Sequence, residues 1–536
     1  MVSFSNRALK CAVATGLLQL LFVFPAWTQA SFSRQLPAGP LTIKGPEASS
    51  YNGQKIIFDR SNKLGVDLAY DRLKLKANRV SYGQDEIELT GFKGTYEQYT
   101  LEGDYFRINP KTGDYAGEDL KFGYLSAYLK GKRVQFYGDK IVADQVSTSP
   151  LNYPIFSFDS NRVEIYPGYT IARGNIFKFF PVPIYYIPLY LNDQRRKYFE
   201  LPFPALEAAK DIFHGTQGAV HSHYFFNPQW FGDLSLRLSD YDGGGAEVQQ
   251  IFRLSDHHQF QFDLTGWQKS PIQGKASYVF NYYEDPTVKG DLSFAQRNEL
   301  IRKIAGIEPR LIIGADYSYN EEVNRSIIDR SYDLTASGRL KGLLFDHTYT
   351  IVPTLTYGRI KEKKIYPENA QAQEVDRSYL RTGADLNFSY YLETPFIQPY
   401  VTKAFLSLDY QHDEYKPGDL ARTRVASSLT VRRPIFNLDF LLYEAVLTKS
   451  LSDSGLSPFY FEEYGRLKDS FSLDLYLRTE LFIGGNLWLY DLTNGGLYNE
   501  INYVGVKALG DSYVVLRHDR RREFWELGIM KKELAF

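Results

Sequence analysis

From about residue 205 to the end, apolar or aromatic side chains occupy every second position of long segments, with Asp, Lys, Arg, Ser, Gln or Asn between them. Leu234/Leu236/Leu238, Phe260/Phe262/Leu264, Ala276/Tyr278/Phe280/Tyr282 and Ile313/Ala315/Tyr317/Tyr319 show the pattern, as do Ala384/Leu386/Phe388/Tyr390 and Phe471/Leu473/Leu475/Leu477. A period of two puts one chemistry on each face of a strand. Turn signals separate the segments: Asn227-Pro228, Asp242 to Gly245, Asp285-Pro286, Pro417-Gly418, Gly484-Gly485 and Asn494 to Gly496. There are about 18 such segments, several near the 9–11 residues that a membrane-crossing strand needs. A soluble sandwich also alternates, but its strands average about 5–6 residues. A closed barrel satisfies every backbone donor in lipid, so the pattern predicts a transmembrane antiparallel β-barrel over residues 201–536.

Residues 54–149 read differently, as shorter strands with glycine punctuation. Leu73/Leu75/Ala77, Ile87/Leu89 and Ile141/Ala143 alternate, and Gly91, Gly103, Gly117 and Gly131 recur at intervals of 12, 14 and 14 residues. Phe106-Arg-Ile108, the turn residues Asn109 to Gly113, and Tyr115-Ala-Gly117 predict a hairpin. Two architectures fit: an ordinary antiparallel sandwich, or an elongated jelly roll whose apolar inner face holds a ligand.

Between these parts, Ile176 to Leu191 is the most apolar stretch after the amino terminus, yet it holds Lys178 and the prolines Pro181, Pro183 and Pro188. Proline removes a donor and clashes within helical turns, so this stretch predicts an extended or bent segment and no membrane helix. Residues 1–30 have the three parts of a secretory signal: Arg7 and Lys10, the apolar run Cys11 to Pro25, and small residues at Thr28 and Ala30. Cleavage after Ala30 leaves a mature chain without cysteine, and hence without disulfides.

Composition narrows the function classes. With 62 Lys+Arg against 63 Asp+Glu there is no basic excess to attract nucleic acid. Tyr, Phe and Trp make up 16% of the chain, and Tyr suits both strands and wet–apolar boundaries. A mean hydropathy of −0.34 excludes a polytopic helical membrane protein but leaves a β-barrel open.

The junction carries a family resemblance. Ala172-Arg173, Asn175 and the run Pro181-Val-Pro-Ile-Tyr-Tyr-Ile-Pro188 resemble the segment that precedes the barrel in the LptD family of LPS-assembly outer-membrane proteins (the organic solvent tolerance family). Leu89-Thr-Gly91, Leu101-Glu-Gly103 and Tyr115-Ala-Gly117 resemble the strand units of its OstA/LptA-type domain. Thr216-Gln-Gly218 and Tyr224 to Pro228, followed by Leu234 to Leu238, look like its first barrel hairpin. The resemblance covers about residues 50–270, and beyond them it rests on architecture.

That resemblance implies an all-β protein: a signal peptide at 1–30, a periplasmic OstA-like β-jelly roll with a proline-rich hinge at 31–200, and the barrel at 201–536. It implies an LPS-assembly translocon, not an enzyme and without cofactor or metal. It would take lipopolysaccharide from an LptA-like periplasmic bridge protein and release it through a laterally opening barrel. The implied partners also include an LptE-like plug lipoprotein, the barrel-assembly machinery and the outer membrane. For the apolar groove the expectation is Leu73, Leu75, Ile87, Leu89, Leu101, Leu129, Val134 and Ile141, although the same residues also suit a closed sandwich core. For the hinge and lateral gate it is Pro181, Pro183, Pro188, Pro202, Pro204 and Pro228, because proline weakens strand pairing. Pro228 equally suits a simple turn, and Pro202 and Pro204 a linker.

Other chemistry is thinly signalled. His221-Ser-His223 puts two imidazoles on one strand face, a metal-binding spacing, but no third ligand is indicated, and His257-His258 falls in an expected turn. There is no G-x-S-x-G elbow and no phosphate-binding loop. The competing functions are a plugged barrel for gated small-solute uptake and an outer-membrane lipase or deacylase.

Overall fold

The computed structural model describes residues 30–531, apart from 37–38, 46–47, 52–54, 60–64, 84–85, 98, 113, 125–126, 150–155, 180, 203–205, 212–213, 287–291, 324–325, 345–346, 365–373, 394–400, 419, 436–437, 464–465, 480–481, 508–511 and 522–523. Pro204 and Cys11 therefore lie outside the described residues, as does all of the expected signal peptide except Ala30. The described chain is almost entirely β, and none of its helices is long and apolar enough to cross a membrane. It divides into two compact units, Met1–Tyr124 with Tyr128–Ser147, and Leu125–Ala127 with Thr148–Phe536.

In the first unit, strands from Val66–Tyr70 through Ile141–Ser149 pair with their sequence neighbours. Alternation decides which face is inside: Val66, Leu68 and Tyr70 are buried while Asp67 and Ala69 are exposed. The expected hairpin forms, with Ile108 opposite Tyr115. Asn109 closes its turn by accepting from the Lys111 and Thr112 amides at 2.9 and 3.2 Å, the side-chain turn to which Asn is suited. Rings from strands that are not neighbours also meet: Tyr96 and Phe136 at 5.2 Å, Tyr70 and Tyr115 at 6.3 Å. The sheet must curl over its apolar face to bring them together. Burial pushes the Tyr96 hydroxyl up to about 12, with help from the Glu97 carboxylate.

The second unit opens with the junction strands Phe156–Tyr166, Tyr169–Phe179 and Val182–Asp193, paired antiparallel. The proline-containing segment is thus the extended stretch expected, with a bulge between Phe177 and Lys178. The turn joining the first two strands needs Gly168 at φ +84°, where a side chain is strained; an added Cβ would also meet Ile301 and Arg195 within 2.8 Å. The units divide between Ser147 and Thr148, well before the change of character near residue 200. The physical reason is that Ile171, Leu189 and Leu191 of the junction bury against Phe231 and Ile251 of the barrel wall.

The barrel closes from Leu206–Asp211 round to Phe524–Lys531. Ser326–Gly338 and Leu340–Leu344 both pair with His347–Lys364 and form one interrupted stave, so the closed wall has 18. An even number returns both ends of the wall to the same side. The alternation sorts as the sequence implies: Leu236 and Leu238 face outward at 63% and 71% exposure, while Ser235 between them faces inward at 2%. Leu264, Leu334, Tyr357 and Val504 continue the exposed apolar exterior on other staves. Exposed apolar side chains around a closed wall are what a lipid exterior requires.

Two features were not anticipated. The segment expected as the first hairpin forms the second and third strands, Gly215–Asn227 and Trp230–Ser239. The six-residue first strand Leu206–Asp211 is too short and too irregular in pattern to announce itself. The connection after Gln273–Tyr282 contains the helix Phe294–Ala305, closed at its start by a Ser293/Gln296 capping box.

Candidate functional site

Among the described residues, the seam where the barrel closes has the fewest pairings of any boundary in the wall. There the first strand meets the last at two positions, Glu207 opposite Glu526 and Ala208 opposite Trp525. The last strand pairs with its other neighbour, Ser512–Asp519, at eight positions, and the first with its own at six. One of the two pairs sets like charges directly opposite, which is unfavourable. Arg517 lies 3.7 Å from Glu526 and offsets part of that repulsion.

Inside the wall, Glu207 is tied to a buried polar cluster. Its Oε2 lies 3.1 Å from Nε2 of His221, whose Nδ1 is 2.6 Å from Oγ of Ser235 and 3.3 Å from Oδ1 of Asp233. Ser235 donates to Asp233 at 3.0 Å, and Arg237 comes within 3.9 Å of Glu207. Alternation places His221, Asp233 and Ser235 on the inward face of neighbouring strands. The Ser235 hydroxyl is engaged on both sides and 2% exposed, so the cluster ties strands together and offers no open nucleophile.

His223 connects the wall to the junction. Its Nδ1 accepts from the Leu191 amide at 3.1 Å and its Nε2 donates to the Pro202 carbonyl at 2.7 Å, which defines the neutral tautomer with the proton on Nε2. The Tyr185 hydroxyl reaches the His221 carbonyl at 3.5 Å. The junction strand therefore touches the same barrel residue that holds Glu207. On its free face Val182, Ile184 and Tyr186 stand 56–57% exposed, an apolar stripe.

Below the junction, Asp193 takes two bonds from Arg195, at 3.0 and 2.9 Å, and lies 3.0 Å from Arg253. Burial opposes ionisation of Asp193, but the Arg195 hydrogen bonds and the Arg253 charge outweigh it and hold the carboxyl below its ordinary range. Arg196 binds Asp285 through both terminal nitrogens, and that hydrogen bonding holds Asp285 low as well.

The expected groove residues Leu73, Leu75, Ile87, Leu89, Leu101, Leu129, Val134 and Ile141 are all at most 5% exposed and lie within the first unit. The interior they share also holds rings such as Phe92 and Phe106, 5.1 Å apart. Among the expected gate prolines, Pro181 is an exposed turn residue, and Pro183 and Pro188 are exposed residues of the junction strand. Pro202 acts through its carbonyl, as above. Pro228 sits in the turn after Asn227, where its carbonyl accepts from Arg195 at 3.1 Å. His257 and His258 are engaged by the Asn281 carbonyl and the Tyr278 hydroxyl. Among the described residues no group of three or more His, Cys, Asp or Glu could hold a metal ion.

At the far end, the connection between Leu438–Ser454 and Ser470–Arg478 turns into the lumen. Phe459 is fully buried against Tyr379 and Tyr415, and Glu362 accepts from the Tyr460 and Phe461 amides at 2.7 and 2.9 Å. Glu462 bonds Arg381 at 2.8 Å. The sequence held no local sign of this, because each partner comes from a different strand.

No protein-family model matches the chain, and no curated protein matches it.

Proposed function

We propose that this protein is an outer-membrane translocon of LptD type, which accepts lipopolysaccharide from a periplasmic bridge and releases it sideways into the outer leaflet. The observation that carries the reading is the seam, with two paired positions among the described residues, one a Glu–Glu opposition, beside a junction strand with an exposed apolar stripe. An amphiphile with acyl chains and sugars needs an apolar path beside a polar one. Burying each methylene gains about 0.8 kcal/mol, and a lightly paired seam is where a wall parts at least cost. The amino-terminal unit is then the OstA-like jelly roll in the periplasm, whose filled apolar interior opens to admit acyl chains. The exposed apolar exterior supports an outer-membrane location for the barrel.

The test is photo-crosslinking from Ile184 and Tyr186 in living cells. The reading expects lipopolysaccharide adducts that vanish when upstream export is stalled. Adducts with bulk phospholipid alone, at unchanged level under the stall, would reject it.

Gated uptake of a polar solute is the second reading, favoured by the lumen wall. Asp316 faces Asp333 and Asp385 faces Asp409 across neighbouring strands, on the inward face. Such a wall suits a cationic solute, and the inward-turned Phe459 segment would gate it. Depletion separates the two: loss of surface lipopolysaccharide for the first, loss of solute uptake for the second.

A further inference from the structure

Cys11 is the only cysteine in the chain, so no disulfide within it can orient the junction on the barrel. We propose that Tyr283, Asp285 and the helix Phe294–Ala305 form a clasp that fixes the junction strands on the barrel's entrance end, so that junction and barrel move as one piece. The proposal concerns positioning and stands whichever cargo the barrel carries.

Three independent contacts converge on the clasp. Asn298, 1% exposed on the helix, accepts from the Gly168 amide at 3.0 Å, and Gly168 is the turn residue that admits no side chain against Ile301 of the same helix. Arg196, just after the junction strand, sends Nε to the Ile304 carbonyl at the helix end at 2.9 Å and grips Asp285 with its two terminal nitrogens. Its guanidinium also lies 3.7 Å from the centre of the Tyr283 ring, a cation–π contact. Arg302 donates to the Gln194 side chain at 2.9 Å.

The chemistry fits a fixed mount better than a hinge. The Arg196 side chain is 3% exposed, so releasing it from Asp285 would strand a buried charge, while its planar fork matches a carboxylate geometrically. The helix is stopped at its start by the capping box and has basic residues in its last turn, so it holds its shape as a lever arm. The turn that precedes the junction strand is seated on the helix through Asn298, which favours a fixed mount within this unit. What the clasp sets is the position of the Val182–Ile184–Tyr186 stripe beside the second barrel strand.

The test uses the full chain in its membrane, with spin labels at Ile184→Cys and Leu254→Cys. The parent is expected to give one narrow distance distribution. Arg196→Ala and Asn298→Ala are expected to broaden it, while Asp285→Glu keeps it narrow. Trypsin cleavage after Arg195 or Lys197, sites that every variant retains, should rise about tenfold in the broadened variants, since cleavage follows the open population. Should the buried Asn298→Ala chain fail to assemble, Asp285→Asn, on an exposed side chain outside the wall, carries the same expectation. Distributions and cleavage rates equal to the parent's in Arg196→Ala and Asp285→Asn would overturn the clasp.

Discussion

Glu207 on the first strand of the barrel lies directly opposite Glu526 on the last. Among the described residues the pair sits at one of two positions that join these strands, so its charge bears directly on the boundary where the wall closes. Replacing one partner with a neutral isostere, Glu526→Gln, removes the repulsion. It is expected to stabilise the closed seam by about 0.2–1 kcal/mol, the range for cross-strand pairs, and to slow cargo release. Urea midpoints of the folded barrel and transport rates check both parts; a lower midpoint contradicts the role given to the pair.

The cluster behind that seam is expected to hold it shut. His221→Ala leaves Asp233, 1% exposed, and Glu207 without their imidazole partner. A buried polar group deprived of its partner costs about 1–3 kcal/mol, so the barrel should unfold at lower urea concentration. Ser222→Ala, one residue on and facing the other side, should change little. Equal effects of the two substitutions would remove the cluster from the account.

Acid should loosen the junction. Asp285 and Asp193 are both held below the ordinary carboxylate range, Asp285 by Arg196 and Asp193 by Arg195 and Arg253 against the opposing effect of burial. A depressed carboxyl stabilises the folded form fully above its unfolded value of about 3.9. That contribution is lost as pH falls through the still lower folded value. Label distances across the junction should therefore stay narrow from neutrality to about pH 4 and broaden below it. Broadening that begins near pH 6 would point to a histidine instead.

The inward segment at the far end should control conductance. Phe459 is fully buried between Tyr379 and Tyr415. Phe459→Ala forfeits about 3–5 kcal/mol of packing and should let the segment leave the lumen. Single-channel recordings are expected to show a larger conductance than the parent's, whereas an unchanged conductance would mean the segment does not obstruct the lumen.

Much of the wall was legible because alternation is a local signal. Leu234, Leu236 and Leu238 announce both a strand and its outward face, and Asn109 announces its turn. The seam was not legible: two pairing positions between residues 207–208 and 525–526 leave no trace in either segment alone. Nor was the clasp, since Gly168 and Asn298 are far apart in sequence and meet only in the fold. Of the expected gate prolines, Pro228 serves a turn, because Asn227 and Pro228 together satisfy a tight reversal more readily than an opening seam. The eight apolar residues expected to line a groove are buried in the first unit. Their pattern is that of any closed core, and sequence has no way to separate the two.

The most direct measurement is a lock across the seam. Ala208→Cys with Trp525→Cys places two thiols on directly opposed residues of antiparallel strands, a spacing that a disulfide can bridge. The account predicts that oxidation stops delivery of lipopolysaccharide to the cell surface and that reductant restores it. Delivery at the parent rate with the seam fully cross-linked would contradict it.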